Sequence, residues 1–168
     1  YFIGLYFLAG ISGSLLSGYV SIQDSYELLR IGEANRALLP SVGAGASGAV
    51  MGIGAALTIL SLFPVLPQQR FLLDKRTLVS VMAINLVMGF MISGINNAAH
   101  IGGMLMGAFL AATWYSGQKI QRGAVVNLAS LLLGLAICWF IYQYCLSLVV
   151  YVTPLWQELI QWMPNTTS

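Results

Sequence analysis

Ser47 and His100 are the side chains in this sequence whose types and placement suit nucleophilic chemistry. Ser47 sits among small residues in the run Val42-Gly43-Ala44-Gly45-Ala46-Ser47-Gly48-Ala49, and His100 is the one histidine of the chain. A serine hydroxyl is a weak nucleophile until a neighbouring base takes its proton, and imidazole is the commonest such base near neutral pH. Each residue alone also has a plainer reading. A histidine can simply bond across a helix interface, and a run of small residues can simply be a packing face. Their placement favours a pair. Both stand near the start of apolar segments that run in the same direction, Ser47 about five residues and His100 about four residues past the expected helix starts. At a rise of about 1.5 Å per residue, that puts them at a similar depth.

Glycines supply the means of bringing them together. Gly48 and Gly52 are four apart in the first of these segments, and Gly103 and Gly107 are four apart in the second. Glycine pairs at this spacing line one helix face and let two backbones approach closely. Contact along them is expected to bring the Ser47 hydroxyl within about 3 Å of an imidazole nitrogen. The stretch from Gly45 to Ser47 is expected at a helix N-terminus, where backbone N–H groups lack intrahelical partners. The Ser47 N–H and its neighbours would then face an oxyanion, helped by the helix dipole.

The elements that must hold these residues are apolar and long. Apolar residues make up 58% of the chain and charged residues 7%, with a mean hydropathy of +0.83. A soluble domain carries about 25% charged residues, so lipid is the expected solvent. A net charge of +2 gives no reason to expect nucleic acid as a partner. Five stretches approach or exceed the about 20 residues that a bilayer requires. They are expected near 1–22, 42–66, 78–95, 97–115 and 123–152. The predicted fold is all-α, a polytopic transmembrane helix bundle with five spans. An apolar span begins at residue 1 with no charged region before it, which does not fit a signal peptide. The expectation is the C-terminal part of something longer.

Charge is confined to the connections. Asp24, Glu27, Arg30, Glu33 and Arg36 fall between the first two spans, Arg70, Asp74, Lys75 and Arg76 between the next two, and Lys119 and Arg122 before the last. Five of the seven basic residues therefore share one side, which the positive-inside bias makes cytoplasmic. Ser47 and His100 would then face the outer side. Asp24, Glu27 and Glu33 read as solvated loop carboxylates and not as a third catalytic group. Cys138 and Cys145, both in the last span, read as small core residues. No grouping of His, Cys and carboxylates suggests a metal, and no cofactor is expected. In the tail, Thr153-Pro154 reads as a helix start. Leu155, Trp156, Leu159, Ile160 and Met163 then suggest a short interfacial helix. Trp156 and Trp162 suit the headgroup level. Asn165-Thr166-Thr167 matches a glycosylation acceptor, a triplet common by chance.

Gly45-Ala46-Ser47-Gly48 resembles the GxSG motif of rhomboid intramembrane serine proteases. Ala99-His100-Ile101-Gly102-Gly103, continuing to Gly107, is similar to their AHxxGxxxG motif. Leu15-Leu16-Ser17-Gly18-Tyr19 resembles the end of the span that precedes the serine. The resemblance implies core spans three to six over 1–115, an additional span over 116–152, and a tail over 153–168. It also implies that Ser47 is a nucleophile and His100 its general base. The activity would be hydrolysis of a transmembrane protein substrate near the outer end of its membrane segment, in a bacterial inner membrane. Two departures stand out. The HxxxN motif of the family's preceding span is missing, and Asn85, Asn96 and Asn97 do not occupy its place. Met51, one turn after Ser47, replaces an aromatic that many members pack on the histidine. Asn127, Ser130, Gln143 and Ser147 read as helix–helix contacts. The alternative function is an inactive family-like binding or chaperone protein. A transporter is a weaker third class, since the polar candidates cluster at one end and do not line a path.

Overall fold

The computed structural model describes residues 1–31, 46–63, 74–92 and 97–162, apart from the side chains of 31 and 158–162. Five helices lie among the described residues: α1 (Phe2–Ile31), α2 (Ser47–Leu62), α3 (Lys75–Met91), α4 (Asn97–Lys119) and α5 (Gly123–Trp162). Each stands where an apolar stretch was expected, and no strand occurs among the described residues. α1 and α5 are each long and apolar enough to cross a membrane on their own. Large apolar side chains point outward, with Phe90 and Met91 each 78% exposed and Phe140 73% exposed. Such a surface would aggregate in water but is the natural outer face of a bundle in hydrocarbon.

The packing contacts fix the helix directions. Gly48 meets Ala99 and Gly103, while Gly52 meets Gly103 and Gly107, so α2 and α4 run parallel. Gly13 meets Gly48 while Ala9 meets Gly52, so α1 runs antiparallel to both. α5 follows α4 through a tight turn and returns alongside α1, with Leu131 against Gly4 and Leu8 against Gly134. The turn closes with Arg122 N–H on Gly117 O and Gln121 N–H on Gln118 O. This is the two-bond pattern of a helix end capped by one left-handed residue, here Gln121 at φ 57°. The core that results is built from Leu5, Leu8, Ala56, Met106, Leu110, Ala111 and Cys138.

Two helix ends differ from the expected spans. α1 does not stop near Ile22 but runs to Ile31, which places Asp24, Glu27 and Arg30 on a helix and not in a loop. Ile22, Ser25 and Leu28 recur every third residue and are buried, so one face continues while the charges take the other. Glu27 and Arg30 pair at 2.6 Å on that exposed face. Glu33, Arg36 and Arg70 lie outside the described residues.

No separate helix begins at Thr153-Pro154, because α5 runs unbroken through Pro154 to Trp162. Proline removes its own N–H from the helix ladder. Tertiary contact with α1 outweighs that loss. Val152 is fully buried with Ile22 and Cys145, and Trp156 Nε1 donates to Ser25 Oγ at 2.8 Å. Tyr26 also donates to the Leu148 carbonyl at 3.2 Å. Met163 and the triplet Asn165-Thr166-Thr167 lie outside the described residues. Trp156→Phe keeps an aromatic ring but removes the indole N–H and with it the bond to a wholly buried serine. It is expected to cost about 1 kcal/mol, readable as a lower thermal midpoint in detergent.

α3 is held more lightly. It buries no residue, and it meets α2 at Met82, which lies beside Gly54 and accepts from Thr58 at 3.3 Å. Its first turn is fixed by Asp74, which accepts from the backbone N–H of Arg76 and Thr77. The Thr77 hydroxyl, followed by the Arg76 amide, holds the Asp74 carboxyl below the usual carboxylate range. A depressed folded value means that the cap contributes fully above that range and is lost as pH falls through the lower value. Asp74→Ala is expected to speed amide exchange at Arg76 and Thr77 at neutral pH. Wild type should approach the variant only in strong acid, as hydrogen exchange would register.

Candidate active site

α2 begins at Ser47, one residue after the Ala46 cap; the start expected about five residues upstream lies outside the described residues. Its first helical bond runs from Val50 N–H to the Ala46 carbonyl at 3.0 Å. The N–H groups of Ser47, Gly48 and Ala49 stand ahead of this bond in the first turn, where a helix start leaves donors free of intrahelical acceptors among the described residues. The Ser47 side chain is exposed, within reach of incoming molecules. Gly45 lies outside the described residues.

His100 is the fourth residue of α4, where it was expected, and it is only 5% exposed. Its Nδ1 is enclosed and has no hydrogen-bond partner among the described residues. No hydrogen bond joins Ser47 to His100 in this arrangement. Catalytic hydrogen bonds are often long in a free enzyme and shorten only with substrate in place.

What brings the two residues to one level is a three-helix junction. A methyl group built on Gly48 would lie 2.9 Å from the Ala99 carbonyl oxygen. One built on Gly13 would lie 2.6 Å from the same oxygen. Gly48 follows Ser47 and Ala99 precedes His100, so the junction lies one residue from each. Ser12 Oγ donates to the Gly102 carbonyl at 3.0 Å and ties α1 to the same turn of α4. Further along, a methyl on Gly103 would overlap the Gly48 carbonyl, and one on Gly107 would overlap that of Gly52. These glycines are needed for close approach, as their spacing implied.

Around this junction the surroundings are apolar. A cleft of about 330 Å³ opens between α1 and the start of α2, bounded by Tyr6, Phe7, Ser14, Ala46 and Ala49. Met51 is buried, at 6% exposure. Cys138 and Cys145 are both buried and free, matching their reading as core residues. Ser130 makes a helix–helix contact, accepting from Trp114 Nε1 at 3.1 Å, and Asn127 is buried beside it. Gln143 and Ser147 make no such hydrogen bond among the described residues. Both are exposed, and Ser147 donates within α5, to the Tyr144 carbonyl.

Comparison with known proteins bears on the same segment. The Rhomboid domain model matches residues 1–117. The chain belongs to the rhomboid family. That match takes in α1 to α4 and with them Ser47 and His100, while α5 lies beyond it. Rhomboid protease AarA of Providencia stuartii is 30% identical over 125 residues, covering 67% of this chain and 42% of AarA. Rhomboid protease GluP of Bacillus subtilis is 32% identical over 142 residues, covering 84% of this chain and 24% of GluP. The chain spans less than half the length of either curated rhomboid relative. No solved structure matches it significantly. Membership accounts for the helical membrane bundle and for its outward apolar face.

Proposed function

We propose that the chain carries the catalytic centre of an intramembrane serine endopeptidase that cleaves transmembrane segments of other membrane proteins through a Ser47–His100 dyad. The observation that supports the proposal is the close approach of Gly48 and Ala99, the residues next to Ser47 and His100 in the chain. Two relatives named as rhomboid proteases support the same class of activity.

In this reading Ser47 Oγ attacks a peptide carbonyl carbon while its proton passes to His100 Nε2. The carbonyl oxygen takes up negative charge and meets the backbone N–H of Ser47 at the start of α2, where the dipole favours an anion. His100 then protonates the leaving amine as the C–N bond breaks, which leaves an ester on Ser47. Water, losing its proton to His100, attacks the ester and releases the acid, and Ser47 recovers its proton. A substrate helix must unwind to present its carbonyl, so helix-breaking small residues near its end favour cleavage. Lys75 and Arg76 at the start of α3, Lys119 at the end of α4 and Arg122 before α5 stand at helix ends away from this site, which supports an outward-facing site in a bacterial membrane.

The test uses the intact protein in liposomes with a model single-span substrate. Cleavage near the substrate's outer membrane boundary is expected. No product under conditions where the protein remains folded would favour a non-hydrolytic binding role on the same fold.

A further inference from the structure

We infer that Asn97 is a positioning residue for His100, accepting a hydrogen bond from Nδ1–H so that Nε2 stays free to act as the base. The inference rests on the dyad reading above. Asn97 opens α4 and His100 lies three residues on, so their side chains share one face with Cβ atoms about 5–6 Å apart. That spacing suits a bond made directly or through one water. Asn97 Oδ1 and His100 Nδ1 are both enclosed without partners among the described residues, and they are chemically complementary, one an acceptor and the other a donor.

The plainer account of an asparagine at a helix start is capping, in which Oδ1 accepts from a first-turn N–H. Here Oδ1 accepts from no such group. The orientation of the amide is fixed from its other end. Asn97 Nδ2 donates to the Leu86 carbonyl of α3 at 3.4 Å, a carbonyl that only the amide nitrogen can face. Among the described residues of the neighbouring helix segments, no charged group competes for the imidazole. Residues 9–17 of α1, 46–53 of α2 and 86–92 of α3 contain no Asp, Glu, Lys or Arg. A neutral amide therefore does what a carboxylate does in a serine triad: it selects the tautomer and holds the ring.

Imidazole nitrogens labelled with ¹⁵N report the tautomer directly, in the intact protein in nanodiscs, with His100→Ala assigning the signal. Wild type is expected to carry its proton on Nδ1. Asn97→Ala should move the population toward Nε2–H and lower kcat at least about tenfold with little change in KM. Asn97→Asp keeps the acceptor, so it should retain the tautomer and most of kcat. Its charge should move the acidic limb of the pH–rate profile upward by about one unit. A tether to α3 alone predicts the opposite pattern. Both variants lose the amide N–H, so both would lose thermal stability equally with tautomer and pH profile unchanged. That outcome, or an unaltered tautomer in Asn97→Ala, overturns the inference. Hydrolysis indifferent to Ser47→Ala would instead overturn the dyad reading beneath it.

Discussion

Ser47→Ala and His100→Ala should each lower the rate of substrate cleavage by on the order of 10⁴-fold or more, and the double variant should be no worse than either single one. The equality follows from mechanism. A hydroxyl without its base and a base without its hydroxyl fail at the same step, so removing the second partner takes away nothing further. The residual rate would come from substrate binding and from the backbone N–H groups at the start of α2. The Ser47 side chain is exposed, so its variant should unfold at the wild-type temperature. A loss of activity in Ser47→Ala without a loss of stability separates a chemical role from a structural one. Quantitative cleavage assays alongside thermal melts would show it.

Gly103→Ala should have the next largest effect, and for a different reason. The added methyl meets the backbone carbonyl of Gly48, which cannot turn aside as a side chain could. α2 and α4 must move apart at the turn that carries Ser47. Overpacking of this kind costs about 1–3 kcal/mol. Displacement of reacting groups by about 1 Å costs on the order of 10² in rate. Gly18→Ala is the matched control. Its methyl would meet nothing within 4 Å, so the substitution should be neutral or should stabilise α1 by about 0.5–1 kcal/mol. Activity and melting temperature measured on both variants decide whether close backbone approach, and not glycine flexibility, is what the α2–α4 interface requires.

These contrasts show which parts of the molecule the sequence could reveal. The five helices were legible because each buries or exposes an apolar run in a medium that leaves few alternatives for the backbone. The pairing of α2 with α4 was legible in Gly48, Gly52, Gly103 and Gly107, because only small residues allow that approach. Helix ends were not legible. Hydropathy marks where charge begins, whereas α1 continues past Ile22 because Ser25 and Leu28 still have a face to bury. Likewise Pro154 signalled a start that the Trp156–Ser25 contact removes. The position of Ser47 at the first residue of α2 depends on the Ala46 cap, whose φ of −79° and ψ of 9° no residue pattern encoded. Asn97 was set aside because it does not occupy the place of a known motif. The signal that brings it forward is an enclosed pair of unmatched polar atoms, visible only in three dimensions.

The most direct measurement is covalent labelling of the intact, membrane-embedded protein with a fluorophosphonate, with the adduct located by mass spectrometry. Phosphorus should be found on Ser47, with labelling abolished in Ser47→Ala and slowed at least about a hundredfold in His100→Ala. An adduct elsewhere, or labelling of Ser47 at the same rate without the histidine, would contradict the dyad.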